Sequence, residues 1–234
     1  MELFVAILPF VERGALLERI DLTLPIMANQ NAVDRSEEAI EQLYICPSDT
    51  SPKLIDVLDY GEPSSAPALS GAGTVITRAP VSSYAGVIGT NDHEENGRFD
   101  GVLFRNSRIR ISQITDGTSK TVCVGERMSR MAEATWLGSI TSSDVVHAEG
   151  WWQTLGYSHR SQNYRPANVQ TTCHIRSSAP NMPTNSPSGF YSPHRGGCGF
   201  LNVDGSVRLV TEHMDLATFR ALATRANAES IDVP

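Results

Sequence analysis

The most suggestive chemistry in the chain lies at residues 194–210, where an imidazole, His194, and a carboxylate, Asp204, flank a glycine-rich run. Such a pair could serve acid–base catalysis or hold a metal. Asp204-Gly205 between two apolar stretches is also a strong hairpin signal, because a type I′ turn needs positive φ at both central residues. Asp tolerates the left-handed region and bonds its own turn, so a turn accounts for both residues without a ligand. A two-residue turn sets Asn202 opposite Val207 and Phe200 opposite Leu209. Both hairpin faces are then largely apolar, which predicts a place in the middle of a sheet. His194, beside Arg195-Gly196-Gly197, is read as a lock on the loop, with catalysis the lesser reading.

Other groups could also bind metal. Cys173-His174 and His194-x3-Cys198 hold two thiols and two imidazoles, the donors zinc prefers, but their spacing matches no zinc signature. A Cys173–Cys198 disulfide is the simpler reading in an oxidising compartment. Cys46 and Cys123 pair or stay as buried thiols. Asp92, Glu94, Asn96 and Asp100, with Gly97 between them, present oxygens at the alternate positions of a calcium loop. Leu103 stands where the bidentate Glu belongs, so a solvated acidic loop is favoured over calcium.

Trp136, Trp151, Trp152, Tyr157 and Tyr164 form either a stacking platform for sugars or the packing of a loop-rich region, and packing is favoured. Enzyme motifs are absent: no G-x-S-x-G, no H-E-x-x-H, no P-loop, no G-x-G-x-x-G.

The elements that must position these groups follow from periodicity and turn chemistry. Residues 3–20 read as helical on both sides of Pro9, and residues 33–43 as a second helix. Residues 44–46 read as a short strand stopped by Pro47, and Cys46-Pro47-Ser48-Asp49 as a turn. Residues 51–80 are rich in Pro, Gly, Ser and Ala and predict an irregular excursion with one short apolar piece, Leu54 to Leu58. Strands are expected over 81–89 and 120–125, with strand material in 102–114. Asp116-Gly117-Thr118-Ser119 turns into the second of these, whose residues alternate simply between faces. Residues 136–193 lack regular pattern, and Asp215 caps a final helix.

The chain has 234 residues, enough for one large domain and a substantial core. Its formal charge of −7 argues against nucleic-acid binding and against docking on anionic lipid. No apolar run approaches the ~20 residues of a membrane span. The opening on apolar residues without a polar leader suggests a piece of a longer protein.

Several stretches, taken in order, resemble a bacterial family of pilin-like proteins labelled DUF1559. His194 followed nine residues later by Asp204-Gly205 is similar to its H-x9-D-G signature. Residues 6–12 resemble the region just past its pilin helix. Cys46-Pro47-Ser48-Asp49 resembles its C-P-S-D turn, and the run from Ile114 through Asp116-Gly117 to Gly125-Glu126 its I-T-D-G-T-S-N-T…V-G-E block. Residues 218–225 also fit, while Lys120 replaces the usual Asn and the hydrophobic prepilin helix is missing.

The resemblance implies one α+β head over residues 1–234, built on an antiparallel sheet with an N-terminal helix, loop-rich insertions and a short C-terminal helix. It implies a non-enzymatic structural or assembly protein, outside the cytoplasmic membrane of a bacterium and without a cofactor. Its partners would be other pilin-like subunits or components of pilus or secretion assembly. This fragment itself would not touch the membrane; a preceding helix would. The alternatives are a secreted carbohydrate- or protein-binding module using residues 136–193 and, behind it, a hydrolase.

Overall fold

A computed structural model describes residues 3–23, 42–50, 53–59, 74–90, 99–104, 107–128, 135–136, 140–141, 144–145, 168–169, 172–175, 178–181 and 189–229. Its N-terminal stretch forms α1 (Leu3–Ala6), a 3-10 turn (Leu8–Val11) and α2 (Gly14–Glu18). The helical run expected around Pro9 is therefore broken. Glu12 takes φ 61° after the 3-10 turn, and a left-handed residue stops a helix. The helix expected over 33–43 lies outside the described residues, apart from its last two. The strand expected over 44–46 is replaced by a 3-10 turn at Gln42–Tyr44.

Among the described residues, ten strands follow: β1 (Leu54–Asp59), β2 (Thr74–Pro80), β3 (Tyr84–Gly89), β4 (Val122–Glu126), β5 (Ile140–Thr141), β6 (Asp144–Val145), β7 (Asn168–Val169), β8 (Thr172–His174), β9 (Gly197–Asn202) and β10 (Val207–Thr211). Helix α3 (Leu216–Ala223) closes the fold, and the Asp215 carboxylate accepts the Thr218 amide at 3.0 Å, as the cap reading expected. The largest sheet runs β10-β9-β4-β3-β8, antiparallel except that β8 runs parallel to β3. The protein is thus α+β, with an antiparallel sheet and a short C-terminal helix. Among the described residues, no helix is long and apolar enough to cross a membrane.

Two longer stretches also depart from expectation. Residues 51–80 hold β1 and β2, an antiparallel pair to which β6 adds. The β-branched run Thr74-Val75-Ile76-Thr77 outweighs the Gly, Pro and Ser around it. Residues 102–114 hold only a 3-10 turn at Ile111–Gln113 among the described positions, closed by the Gln113 side chain on the Arg110 amide.

The five-stranded sheet packs on both faces. On one, Ala85, Val87, Val122, Phe200 and Val210 meet Phe219 and Leu222 of α3. On the other, Tyr84 and Val124 lie against Phe4, Val5, Leu8, Tyr44 and Trp136. Val122 and Val124, two apart, face opposite ways because the β4–β9 register shifts between them. Cys123 is the extra residue of this bulge, where simple alternation had been expected.

The hairpin also departs from expectation. Leu201 pairs with Val207 and Phe200 with Arg208, while the Asn202 amide donates to Ser206 O at 2.8 Å. The loop therefore has three residues, with only Gly205 at positive φ, 88°. Asp204 avoids the left-handed region because its carboxylate accepts both the Ser206 amide, at 2.9 Å, and hydroxyl, at 2.6 Å. A shift of one residue exchanges faces. Val207 and Leu209 are consequently 75% and 57% exposed, and β10 is the sheet edge rather than a central strand.

The ring of Phe200 lies 5.0 Å from that of Phe190 and 5.5 Å from that of Phe219, both edge-on. Phe200→Ala should cost about 3–5 kcal/mol in denaturant unfolding. Leu209→Ala should stay within about 0.5 kcal/mol, the range of surface substitutions. A large loss at Leu209 would restore the two-residue turn.

Candidate functional site

Three of the quoted sequence blocks meet at one end of β4. Cys46 begins the C-P-S-D turn, Glu126 ends the V-G-E run, and His194 opens the H-x9-D-G stretch. The Cys46 Sγ lies 3.4 Å from His194 Nε2, and Glu126 Oε1 lies 3.3 Å from the same nitrogen. The three donor atoms all lie within 4.8 Å of one another. Cys46 is buried, Glu126 nearly so, and the His194 side chain is 43% exposed, so the cluster opens to solvent on the imidazole side.

Each member is held from behind. Tyr44 O accepts the Ser83 amide at 2.7 Å, and the buried Asp49 carboxylate accepts the Ser83 hydroxyl at 2.9 Å. These bonds dock the Cys46–Asp49 turn on the start of β3. Pro47 pre-sets φ inside that turn and is itself exposed. Glu126 Oε2 accepts the Gly199 amide at 2.6 Å, which leaves Oε1 aimed at the imidazole. A Cβ on Gly199 would come within 3.2 Å of that carboxylate, so glycine permits the approach.

Asn181, at φ 61°, ties down the His194 loop. Its amide nitrogen donates to His194 O and Gly197 O at 3.4 and 3.3 Å. Its oxygen accepts the Ser192 amide at 2.8 Å and the Cys198 thiol at 3.3 Å. Beside the cluster, burial pushes the Tyr84 phenol above its usual range, and Cys46 and Glu126 add to the shift.

The remaining site candidates separate. Asp204 and Gly205 make the hairpin turn and do not join His194. Asp116 accepts the amides of Asn227 and Ala228 at 2.9 and 2.8 Å, while Gly117 sits at φ 103° in the turn before β4. Of the calcium candidates, Asp92, Glu94 and Asn96 lie outside the described residues. Asp100 binds Thr90 through both carboxylate oxygens, to its amide at 2.8 Å and to its hydroxyl. Trp136 is fully buried against Tyr44, as packing requires, whereas Trp151, Trp152, Tyr157 and Tyr164 lie outside the described residues.

The Cys173–Cys198 disulfide is not formed. Cys198 is a free thiol, and β4 and β3 stand between β9 and β8. At about 4.8 Å per strand the two backbones are roughly 14 Å apart, beyond the ~7 Å a disulfide tolerates. The same separation divides the zinc set Cys173, His174, His194 and Cys198. Glu126 and Asn181 were missed as site residues. The signal for Glu126 was its place at the end of a quoted block, as Cys46 and His194 stand at the start of theirs.

The fold and site define an antiparallel-sheet α+β protein with a Cys–Glu–His cluster at one end of its central strand. The chain belongs to the DUF1559 family, proteins of unknown function, whose sequence profile matches residues 2–217. Neither a curated protein nor a solved structure matches it.

Burial pushes the Cys123 thiol up from 9.0 to about 11 and the Cys198 thiol higher still. Both stay protonated at neutral pH, and thiolate is the reactive form. Native Cys123 should alkylate slowly at pH 8, its rate rising about tenfold per pH unit until near pH 11. A raised folded value also means stability is lost as pH climbs from about 9 toward 11. Mass-spectrometric mapping of iodoacetamide adducts checks the first, and denaturant titration across that range the second.

Proposed function

We propose that this chain is a non-enzymatic, pilin-like head, presented outside the cytoplasmic membrane of a bacterium. Its role is that of a structural or assembly subunit in a filament of the type IV pilus or type II secretion kind. The observation that carries this reading is the clamp on the N-terminal segment. Phe4, Val5 and Leu8 are buried against Tyr44 and Trp136, and the Tyr44 hydroxyl donates to Phe4 O at 2.7 Å. A filament subunit needs such a joint, because load on the entering helix must reach the sheet without a hinge.

Two further features favour architecture over catalysis. Asp49, Asp116 and Asp204, the aspartates of the quoted blocks, each accept bonds that hold a turn or a tail. In a nucleophile–imidazole–carboxylate relay, the nucleophile and the carboxylate use different ring nitrogens. Here Cys46 and Glu126 both approach Nε2, so the cluster does not have the form of a relay.

In its own bacterium the protein should appear in the sheared surface fraction, with a processed N-terminus by mass spectrometry and chemical cross-links between copies. Recovery as a cytosolic monomer without processing would overturn the reading.

A further inference from the structure

We infer that Cys46, Glu126 and His194 form a binding site for a borderline divalent cation of the zinc class, with a fourth position open to solvent. In tetrahedral zinc sites the bonds are about 2.3 Å to sulfur and about 2.0–2.2 Å to nitrogen and oxygen. The edges of such a tetrahedron are therefore about 3.6 Å from sulfur to nitrogen and about 3.4 Å from nitrogen to oxygen. The separations here are 3.4 Å from Cys46 Sγ to His194 Nε2 and 3.3 Å from His194 Nε2 to Glu126 Oε1. The third pair, Cys46 and Glu126, lies within 4.8 Å.

Hydrogen bonding alone explains this convergence poorly. A proton on Nε2 serves Glu126 and leaves the Cys46 S–H without that acceptor. A bare Nε2 serves the thiol and sets two lone pairs, its own and that of Oε1, against each other at 3.3 Å. A cation at the common point satisfies all three donors together.

The donor set also selects the ion. A thiolate and an imidazole favour zinc-like metals over calcium or magnesium, which take oxygen ligands. The surroundings resemble the outer shell that orients metal ligands. Gly199 fixes the carboxylate, Asn181 and Ser192 fix the His194 backbone, and Asp49 fixes the turn that bears Cys46. Three protein donors with an exposed imidazole side leave room for water or a partner's donor as the fourth ligand. The inference stands apart from the pilin-like reading, since a head that fails to assemble can still bind the ion.

The test uses the full chain, stripped with a chelator and titrated with zinc by calorimetry and with cobalt(II) by absorption. One ion per chain is expected, with a thiolate-to-cobalt charge-transfer band and the intense visible bands of tetrahedral cobalt. His194→Ala and Glu126→Gln should weaken zinc by more than the about 10–100-fold that loss of an outer-shell partner costs. Cys46→Ser should abolish the charge-transfer band. His213, whose side chain is 87% exposed and lies 3.8 Å from the Glu212 carboxylate, is not one of the three donors, and His213→Ala should bind as wild type. His194 is partly exposed, so its variant should keep the wild-type circular dichroism and decides the matter even where Cys46→Ser misfolds. Absence of stoichiometric uptake, unchanged affinity in His194→Ala, or a charge-transfer band that survives in Cys46→Ser would each overturn the site.

Discussion

The pairing of β4 with β9, and the single extra residue within it, sets the arrangement of the fold. Because Cys123 bulges out of register, Val122 faces the α3 core and Val124 the α1 core. The same offset lays Gly125 beneath Phe190 and Phe200, where a Cβ would come within 2.6 Å of both rings. Glu126 then reaches across to the Gly199 amide, on the way to the imidazole. One bulge thus sends Val122 and Val124 to different cores, whereas in a regular strand residues two apart share a face.

The cluster's order rests on backbone rather than on long side chains. Each group that fixes a donor is an amide, a carbonyl or a short side chain, so little rotamer entropy opposes the arrangement. Asn181 has the widest reach, since its amide group binds the carbonyls at 194 and 197, the Ser192 amide and the Cys198 thiol. Cys46 and His194 are separated by 148 positions, and Glu126 comes from a third segment. Only the sheet order unites them.

This separation decides what could be read from residues alone. Local signals held: Asp215 caps a helix, Asp204-Gly205 turns a hairpin, and strands cover most of 81–89 and 120–125. The loop length did not, because an Asp-Gly pair is compatible with two turns. Bonds between Asp204 and Ser206 select the one with a single left-handed residue. Cys46 and His194 were marked as members of separate blocks, but nothing in their spacing says that two strands place them side by side. Glu126 was visible only as the last letter of a strand. Asn181 sits in a Pro-, Asn- and Ser-rich run whose composition says loop and nothing of its partners. The β1–β2 hairpin hid behind the same kind of composition.

The position of β9 has a consequence for how the chain is made. β9 lies between β4 and β10, and β9 and β10 come late in the described sequence, just before α3. During synthesis β3 and β4 can pair early, but one edge of β4 stays open until those residues emerge. The tail then completes loops made long before. Arg225 donates to Phe99 O and Gly101 O at 2.6 Å each and holds its guanidinium 5.7 Å from the Phe104 ring centre. Closure of such distant pairings is slow, and an unpaired strand edge is adhesive while it waits. The sheet therefore completes its pairing only when its late strands arrive, and the nascent form is the state that most requires protection.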